Sequence, residues 1–111
     1  MTEEKLITQT ENSVTLEFSV PDTSPYFDGH FPDFPILPAV AQVDLILRFA
    51  SRYLGTGSGL SELRRIKFSS LIRPFTPLRL NIERNGEIIS FKMTSIDDGA
   101  IVYSQGTVRA A

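Results

Sequence analysis

The residues whose types and spacing could do chemistry are His30, the only histidine in the chain, and Asp44, fourteen positions further on. An imidazole can accept a proton near neutral pH, and a carboxylic acid in an apolar setting can donate one. Together they could serve as the base and the acid of a proton-transfer reaction. The pair therefore favours acid–base catalysis, provided that the fold brings the two side chains together.

A proline-rich segment follows the histidine, with Pro32, Pro35 and Pro38. Each proline fixes φ and removes a backbone donor, so neither a helix nor a central strand can run through residues 31–38. Pro38 suits the first position of a helix, where a missing N–H costs nothing. We therefore expect an ordered, irregular loop that presents His30, with Gly29 permitting the turn.

The segment from Ala39 to about Leu54 contains no proline and no glycine and is apolar almost all round, which is typical of a buried helix. Its polar residues share one side, except Gln42, which lies apart. Gly55 is expected to end the helix, and the glycine-rich residues 55–59 to form a flexible connection.

Asp44 permits two interpretations. Val40, Val43 and Leu47 surround it in sequence and would give a catalytic acid an apolar setting. Arg48, however, lies four residues on, which is the spacing of an ordinary ion pair on a helix surface. The residues alone leave both interpretations open.

The remainder of the chain reads as strands. Residues 7–20 alternate between apolar and polar side chains, with a turn at Asn12-Ser13 that could split them into two strands. Four strands are expected after the helix, at residues 65–72, 78–84, 87–96 and 100–108, with Asn85-Gly86 as a strong hairpin signal. One apolar helix and an antiparallel sheet predict a single α+β domain over residues 1–111, with the sheet wrapped around the helix. The exposed sheet edge and the remaining apolar surface favour a dimer.

Composition excludes several classes of protein. The 111 residues include no cysteine, so there is no disulfide framework, thiolate nucleophile or ordinary structural zinc site. No apolar run reaches the length of a membrane span, and the N-terminus lacks the basic-then-apolar order of a secretion signal. We expect a cytoplasmic enzyme or binding domain.

Positive charge is concentrated in residues 60–85, which hold six basic and two acidic residues, a balance of +4 in a chain of net charge −2. These side chains could simply be the solvated faces of strands, or they could form a docking surface for an acidic partner. Nucleic acid is a poor candidate, because aromatic residues are not interleaved and the whole chain is acidic. The candidate docking residues are Arg64, Arg65 and Lys67.

The motif FDGHFPDFPILP at residues 27–38, followed by the acid at Asp44, resembles the (3R)-3-hydroxyacyl-ACP dehydratases of the FabA/FabZ type. The text PILPAVAQVD at residues 35–44 is most similar to the ApeI-like branch, which is associated with aryl polyene synthesis. The resemblance extends over roughly residues 26–80. It implies a hot-dog fold, which is a curved antiparallel sheet around a central helix and is usually paired into dimers.

The resemblance also implies roles for individual residues. His30 corresponds to the catalytic base and Asp44 to the catalytic acid, while the backbone N–H of Ala39 corresponds to the group that holds the thioester carbonyl. Gly29, Phe31 and Val40 are then candidate substrate contacts. The family needs no metal or organic cofactor, and the acyl carrier protein would be the acidic partner.

The sequence departs from the family pattern at three positions. Ala39 and Phe75 stand where the family usually has glycine, and Leu71 stands where it commonly has proline. Two other functions therefore stay open. One is a hot-dog thioesterase, against which His30 counts; the other is a non-catalytic subunit that pairs with a second hot-dog chain.

Overall fold

The computed structural model describes residues 3–24, 36–57, 59–96 and 101–110. Within them lie one helix and a seven-stranded antiparallel sheet, in the strand order β1-β2-β5-β6-β7-β3, with β4 also paired to β7. The strands are β1 (Glu3–Gln9), β2 (Ser13–Ser19), β3 (Leu60–Leu63), β4 (Lys67–Phe68), β5 (Leu78–Asn85), β6 (Ile88–Ser95) and β7 (Val102–Ala110), and the helix is α1 (Ala39–Leu54).

The core forms where one face of the sheet meets α1. Alternate side chains of β2 are buried, and alternate side chains of β5 are buried in the same way. The α1 helix packs against these two central strands, and the rings of Phe18 and Phe49 meet edge to face with their centroids 5.2 Å apart. Each such side chain contributes about 1.5–3 kcal/mol by leaving water. A sheet wrapped around one helix is the hot-dog arrangement, which confirms the predicted fold.

The bounds of α1 match the predicted helix, but its start differs in one detail. Pro38 is the N-cap residue, with φ −71° and ψ 161°, rather than the first helical residue. The extended ψ makes this the last residue of the loop, and Ala39 takes the first helical position. Gly55 ends the helix as predicted, since it adopts φ 70° and donates its N–H to the Ser51 carbonyl oxygen at 3.2 Å.

The prediction of one strand over residues 65–72 is wrong. The structure has two short strands instead, β3 and β4, both paired with β7 and separated by residues 64–66. The cause lies in β7: Gly106 faces the break, and a Cβ atom placed there would be 2.6 Å from the Ile66 Cα atom. The chain at residues 65–66 therefore crosses close over a glycine, and regular pairing is interrupted there.

The hairpin predicted at Asn85-Gly86 forms, but its two turn residues are Gly86 and Glu87, one position further along the chain. Asn85 pairs with Ile88 across the turn, and Gly86 adopts φ 63°. The split of the N-terminal segment into two strands is likewise confirmed. No helix in the described ranges has the length and hydrophobicity needed to span a bilayer.

Candidate active site

A cavity of about 220 Å³ lies at the start of α1. Residues 36–39 and Gln42 line one side of it, and residues 68–71 line the other. Backbone hydrogen bonds fix both sides: the Leu37 N–H donates to the Ile72 carbonyl oxygen at 2.7 Å, and the Ser69 N–H donates to the Tyr103 carbonyl oxygen at 2.9 Å. The end of the proline-rich segment is thus held against the strand region beyond β4.

The N-terminus of α1 opens into this cavity without a side-chain cap. Pro38 makes no side-chain capping hydrogen bond, and the first turn contains no acidic residue. The first backbone N–H groups of a helix have no intrahelical acceptor, and they carry the positive end of the helix dipole. Ala39, the first helical residue, lines the cavity. Its position suits the predicted role of its N–H toward a carbonyl oxygen.

Gln42 is a buried polar residue at the same place, and the sequence reasoning assigned it no role. Its side chain is 3% exposed and its Nε2 donates to the Leu37 carbonyl oxygen at 3.2 Å. Its Oε1 has no hydrogen-bond partner within the described part of the chain. The available signal in the sequence was a single glutamine on the apolar side of the helix, one turn from its start.

Asp44 lies elsewhere on α1 and is not among the residues described as lining the cavity. Its Oδ2 accepts a hydrogen bond from Nε of Arg48 at 2.8 Å, and the Asp44 side chain is 42% exposed. Of the apolar neighbours expected around it, Val43 and Leu47 are buried, but Val40 is 81% exposed. The ion pair that the sequence offered as a second interpretation therefore exists, and the catalytic role of Asp44 stays a prediction.

The other predicted site residues of this region, His30, Gly29 and Phe31, lie outside the described residues. The described chain resumes at Ile36, which lines the cavity.

The candidate docking residues lie on the sheet edge formed by β3 and β4. Arg64, Arg65 and Lys67 are exposed, and Arg64 has Glu62 at 3.5 Å. Two other basic residues of the positive region bind within the chain. Arg79 pairs with Glu17 at 2.7 Å, and Arg84 donates to the Leu54 carbonyl oxygen at 2.5 Å. The part of the positive region that faces solvent at this edge is therefore residues 64–67.

A second hollow, of about 580 Å³, lies beside the turn after Pro74, and its lining includes Phe18, Phe75 and Pro77. Phe75 adopts φ 63°, is 59% exposed and donates its N–H to the Val20 carbonyl oxygen at 2.8 Å. A side chain with a Cβ rarely adopts this left-handed conformation, which glycine adopts readily. Phe75 thus holds a backbone conformation that glycine would adopt without strain.

Comparison with known proteins decides the family. The model of the ApeI-like family, described as ApeI dehydratase, matches residues 6–107. The chain belongs to the ApeI-like dehydratase family. The resemblance seen in the sequence is thereby confirmed, and so is the enzyme class, since a dehydratase is a hydro-lyase.

Relatives and solved structures agree with the ApeI-like assignment. The 3-hydroxyacyl-[acyl-carrier-protein] dehydratase FabZ of Clostridium perfringens is 29% identical over 105 residues, which cover 86% of this chain and 76% of the relative. The dehydratase heterocomplex ApeI:P of Xenorhabdus doucetiae contains a chain with a TM-score of 0.85 and 25% identity, covering 100% of this chain and 98% of the other.

The ApeI-like chain also shares its fold with a thioesterase. Thioesterase superfamily member 2 of Mus musculus has a TM-score of 0.68 at 13% identity, covering 96% of this chain and 80% of the other. At that identity the likeness concerns the fold alone.

Proposed function

We propose that this ApeI-like dehydratase removes water from a (3R)-3-hydroxyacyl thioester carried by an acyl carrier protein and leaves the trans-2-enoyl thioester. The main support is the match to the ApeI-like family together with relatives named as 3-hydroxyacyl-[acyl-carrier-protein] dehydratases. The reaction would serve fatty acid or aryl polyene assembly in the cytoplasm, as the sequence predicts.

The proposed reaction needs only proton transfers and a binding site for negative charge. His30 takes the proton from C2, the C2–C3 double bond forms, and the C3–O bond breaks. Asp44 supplies the proton with which the hydroxyl group leaves as water, directly or through an oriented water molecule. Negative charge that develops on the thioester oxygen is stabilised by the Ala39 N–H at the start of α1. Hydrogen bonds of this kind typically change kcat by about 10²–10³-fold.

We propose that the complete site needs a second hot-dog chain. Two features support this: Asp44 lies away from the described cavity lining and is partly open to solvent, and the exposed apolar side chains of Val40, Phe68 and Leu71 lie near the cavity. Exposed apolar patches of this kind typically mark interfaces. The partner is a second copy of this chain or, as in the Xenorhabdus heterocomplex, a different subunit.

We further propose that Arg64, Arg65 and Lys67 dock the acidic acyl carrier protein. These exposed basic residues lie along one sheet edge, and β4, which contains Lys67, continues into the cavity wall at Phe68. A carrier bound there would lie beside the site that its acyl chain must enter. Complementary charge raises the association rate and fixes the orientation of such a complex.

The decisive experiment is incubation of the full chain with a 3-hydroxyacyl carrier protein and detection of water loss by mass spectrometry. We expect dehydration that His30→Ala and Asp44→Asn abolish or strongly reduce. Release of free thiol without water loss would instead establish a thioesterase. A third outcome would establish a non-catalytic subunit: the chain is inactive alone, a second hot-dog chain restores dehydration, and His30→Ala does not lower the restored activity.

A further inference from the structure

Lys92 is an exposed lysine on β6 that lies outside the positive region at residues 60–85. Its chain neighbours Phe91 and Met93 are buried in the core, so the Lys92 side chain projects from the opposite, outer face of the sheet. The face that turns away from α1 therefore carries a positive charge that sequence position alone does not connect with the candidate docking residues.

The pairing of the strands aligns Lys92 with Lys67, one of the proposed docking residues. Lys92 lies directly opposite Gln105 of β7, and Gln105 lies directly opposite Lys67 of β4 on its other side. Residues paired in this way project from the same face of a sheet. Phe68, which follows Lys67, lines the cavity on the α1 side, as this alternation requires. The two lysines are thus about 10 Å apart across two strand spacings, with an exposed glutamine between them.

The carboxylates around this part of the outer face leave the two lysines free. Glu62 of β3 and Glu87 of the β5–β6 turn are each paired with an arginine, at 3.5 Å and 2.8 Å. Glu83 on β5 lies diagonally from Lys92 and forms no ion pair with it. Neither Lys67 nor Lys92 forms an ion pair within the described part of the chain. A negatively charged surface that approaches β6, β7 and β4 therefore meets two ammonium groups available for binding.

We infer that the acidic carrier lies across the outer face of β6, β7 and β4, with Lys92 and Lys67 binding its carboxylates on either side of Gln105. This inference rests on the proposed docking of the carrier, and it places the carrier over the sheet surface rather than along the edge alone. The β4 strand is two residues long and pairs with β7, so a carrier on this face lies one short strand away from the cavity wall at Phe68. Complementary charges of this kind act mainly on the association rate and on the orientation of the complex.

The test measures the Kd of the holo carrier protein for the full chain, without reaction, at low and at high salt. Lys92→Gln removes the charge and Lys92→Glu reverses it, so we expect the Kd to rise about threefold and about tenfold, respectively. Added salt should narrow both differences, because exposed charges are screened. The matched control is Lys5→Glu, which changes an exposed lysine opposite Glu17 on the same face, three strands from Lys92. It should keep the Kd within about twofold of the wild-type value.

An unchanged Kd in Lys92→Glu, together with weaker binding by Lys67→Glu, would overturn the inference and confine docking to the sheet edge. Failure of the wild-type chain to bind the carrier would remove the proposed docking as well. A changed oligomeric state of Lys92→Glu in sedimentation would make this face a contact between hot-dog chains and would also overturn the inference. So would binding of duplex DNA as tightly as the carrier, since the face would then attract any polyanion. Carrier binding with the expected dependence on Lys92, but without water loss, would support this surface and remove the proposed reaction.

Discussion

The carboxylate of Asp44 is held by the guanidinium group of Arg48 one helical turn away, with Oδ2 and Nε 2.8 Å apart. An exposed pair at this spacing contributes only about 0.3–0.5 kcal/mol to the stability of a helix. The ion pair therefore orients the Asp44 side chain, but loss of this pair would not by itself produce a large change in stability. Measurements of stability and of activity should separate the two interpretations of this residue.

We expect Asp44→Asn to lower kcat by about 10²–10⁴-fold, the usual contribution of a general acid, while the free energy of unfolding changes by less than about 0.5 kcal/mol. Steady-state kinetics and denaturant unfolding measure the two quantities. Glu87→Gln is the matched control, since Glu87 pairs with Arg109 at 2.8 Å on the sheet, and should leave both nearly unchanged. Equal activity of Asp44→Asn and Glu87→Gln would reduce Asp44 to an ordinary surface ion pair.

The backbone N–H of Ala39 can be removed with little change to the helix. Proline is favoured at the first helical position, and the residue before it must be extended, as Pro38 already is with φ −71° and ψ 161°. We therefore expect Ala39→Pro to keep its stability but to lose about 10²–10³-fold in kcat. Ala39→Val adds bulk and retains the N–H, so it should lose much less. If the two variants lose the same activity, crowding and not the missing donor is responsible.

Gly106 should be far less tolerant of a side chain than Gly86. A Cβ at Gly106 would lie 2.6 Å from the Ile66 Cα atom, whereas a Cβ at Gly86 meets nothing within 4 Å. We expect Gly106→Ala to lower the free energy of unfolding by about 2–3 kcal/mol and Gly86→Ala by about 1 kcal/mol, the cost of its left-handed φ. Hydrogen exchange at the Arg64 N–H, which donates to the Thr107 carbonyl oxygen at 3.0 Å, should accelerate only in Gly106→Ala. Similar exchange in both variants would contradict the proposed contact.

The left-handed backbone at Phe75 predicts an unusual order of stabilities. Glycine adopts φ 63° without strain and alanine does not, so Phe75→Gly should be more stable than Phe75→Ala by about 1 kcal/mol. At an ordinary position the order is the reverse. Thermal or denaturant unfolding of the two variants measures the difference. Greater stability of Phe75→Ala would mean that the turn relaxes to a different conformation.

Carrier docking predicts a selective kinetic effect. The triple variant Arg64→Glu, Arg65→Glu, Lys67→Glu should raise KM for the carrier-linked substrate and spare a short thioester analogue. Added salt should raise the wild-type KM for the carrier-linked substrate in the same way. Lys5→Glu, an exposed change on β1 at the opposite edge of the sheet, serves as the control for charge alone. Equal effects of the triple variant on both substrates would refute docking at this edge.

What the sequence predicts well here is encoded locally. The end of α1 at Gly55 and the hairpin turn that begins at Gly86 follow from glycines that adopt a left-handed φ at the place where the chain turns. The motif around His30 identified the family for the same reason, since its residues are contiguous. By contrast, the break between β3 and β4 depends on Gly106, which lies some forty residues further along the chain. No pattern within residues 60–72 contains that information.

The burial of the Gln42 side chain could not be predicted for a related reason. The spacing of Gln42 on α1 shows only that it lies apart from the polar face. Its burial, with an Oε1 atom that has no partner among the described residues, becomes evident only when the segments at residues 36–39 and 68–71 are brought together. The ion pair of Asp44 with Arg48 was available from the spacing of four residues. Contact between the Asp44 carboxylate and His30 depends on how separate segments come together, and local sequence patterns do not encode that.

The choice of proline at position 38 has a consequence for anyone who would engineer this protein. Serine or aspartate at position 38 would accept hydrogen bonds from the free backbone N–H groups at the start of α1 and add about 1 kcal/mol of stability. The oxygen of the new side chain would then occupy the place where we expect the thioester oxygen of the substrate to bind. Thermostabilisation at this residue would then be gained at the expense of turnover.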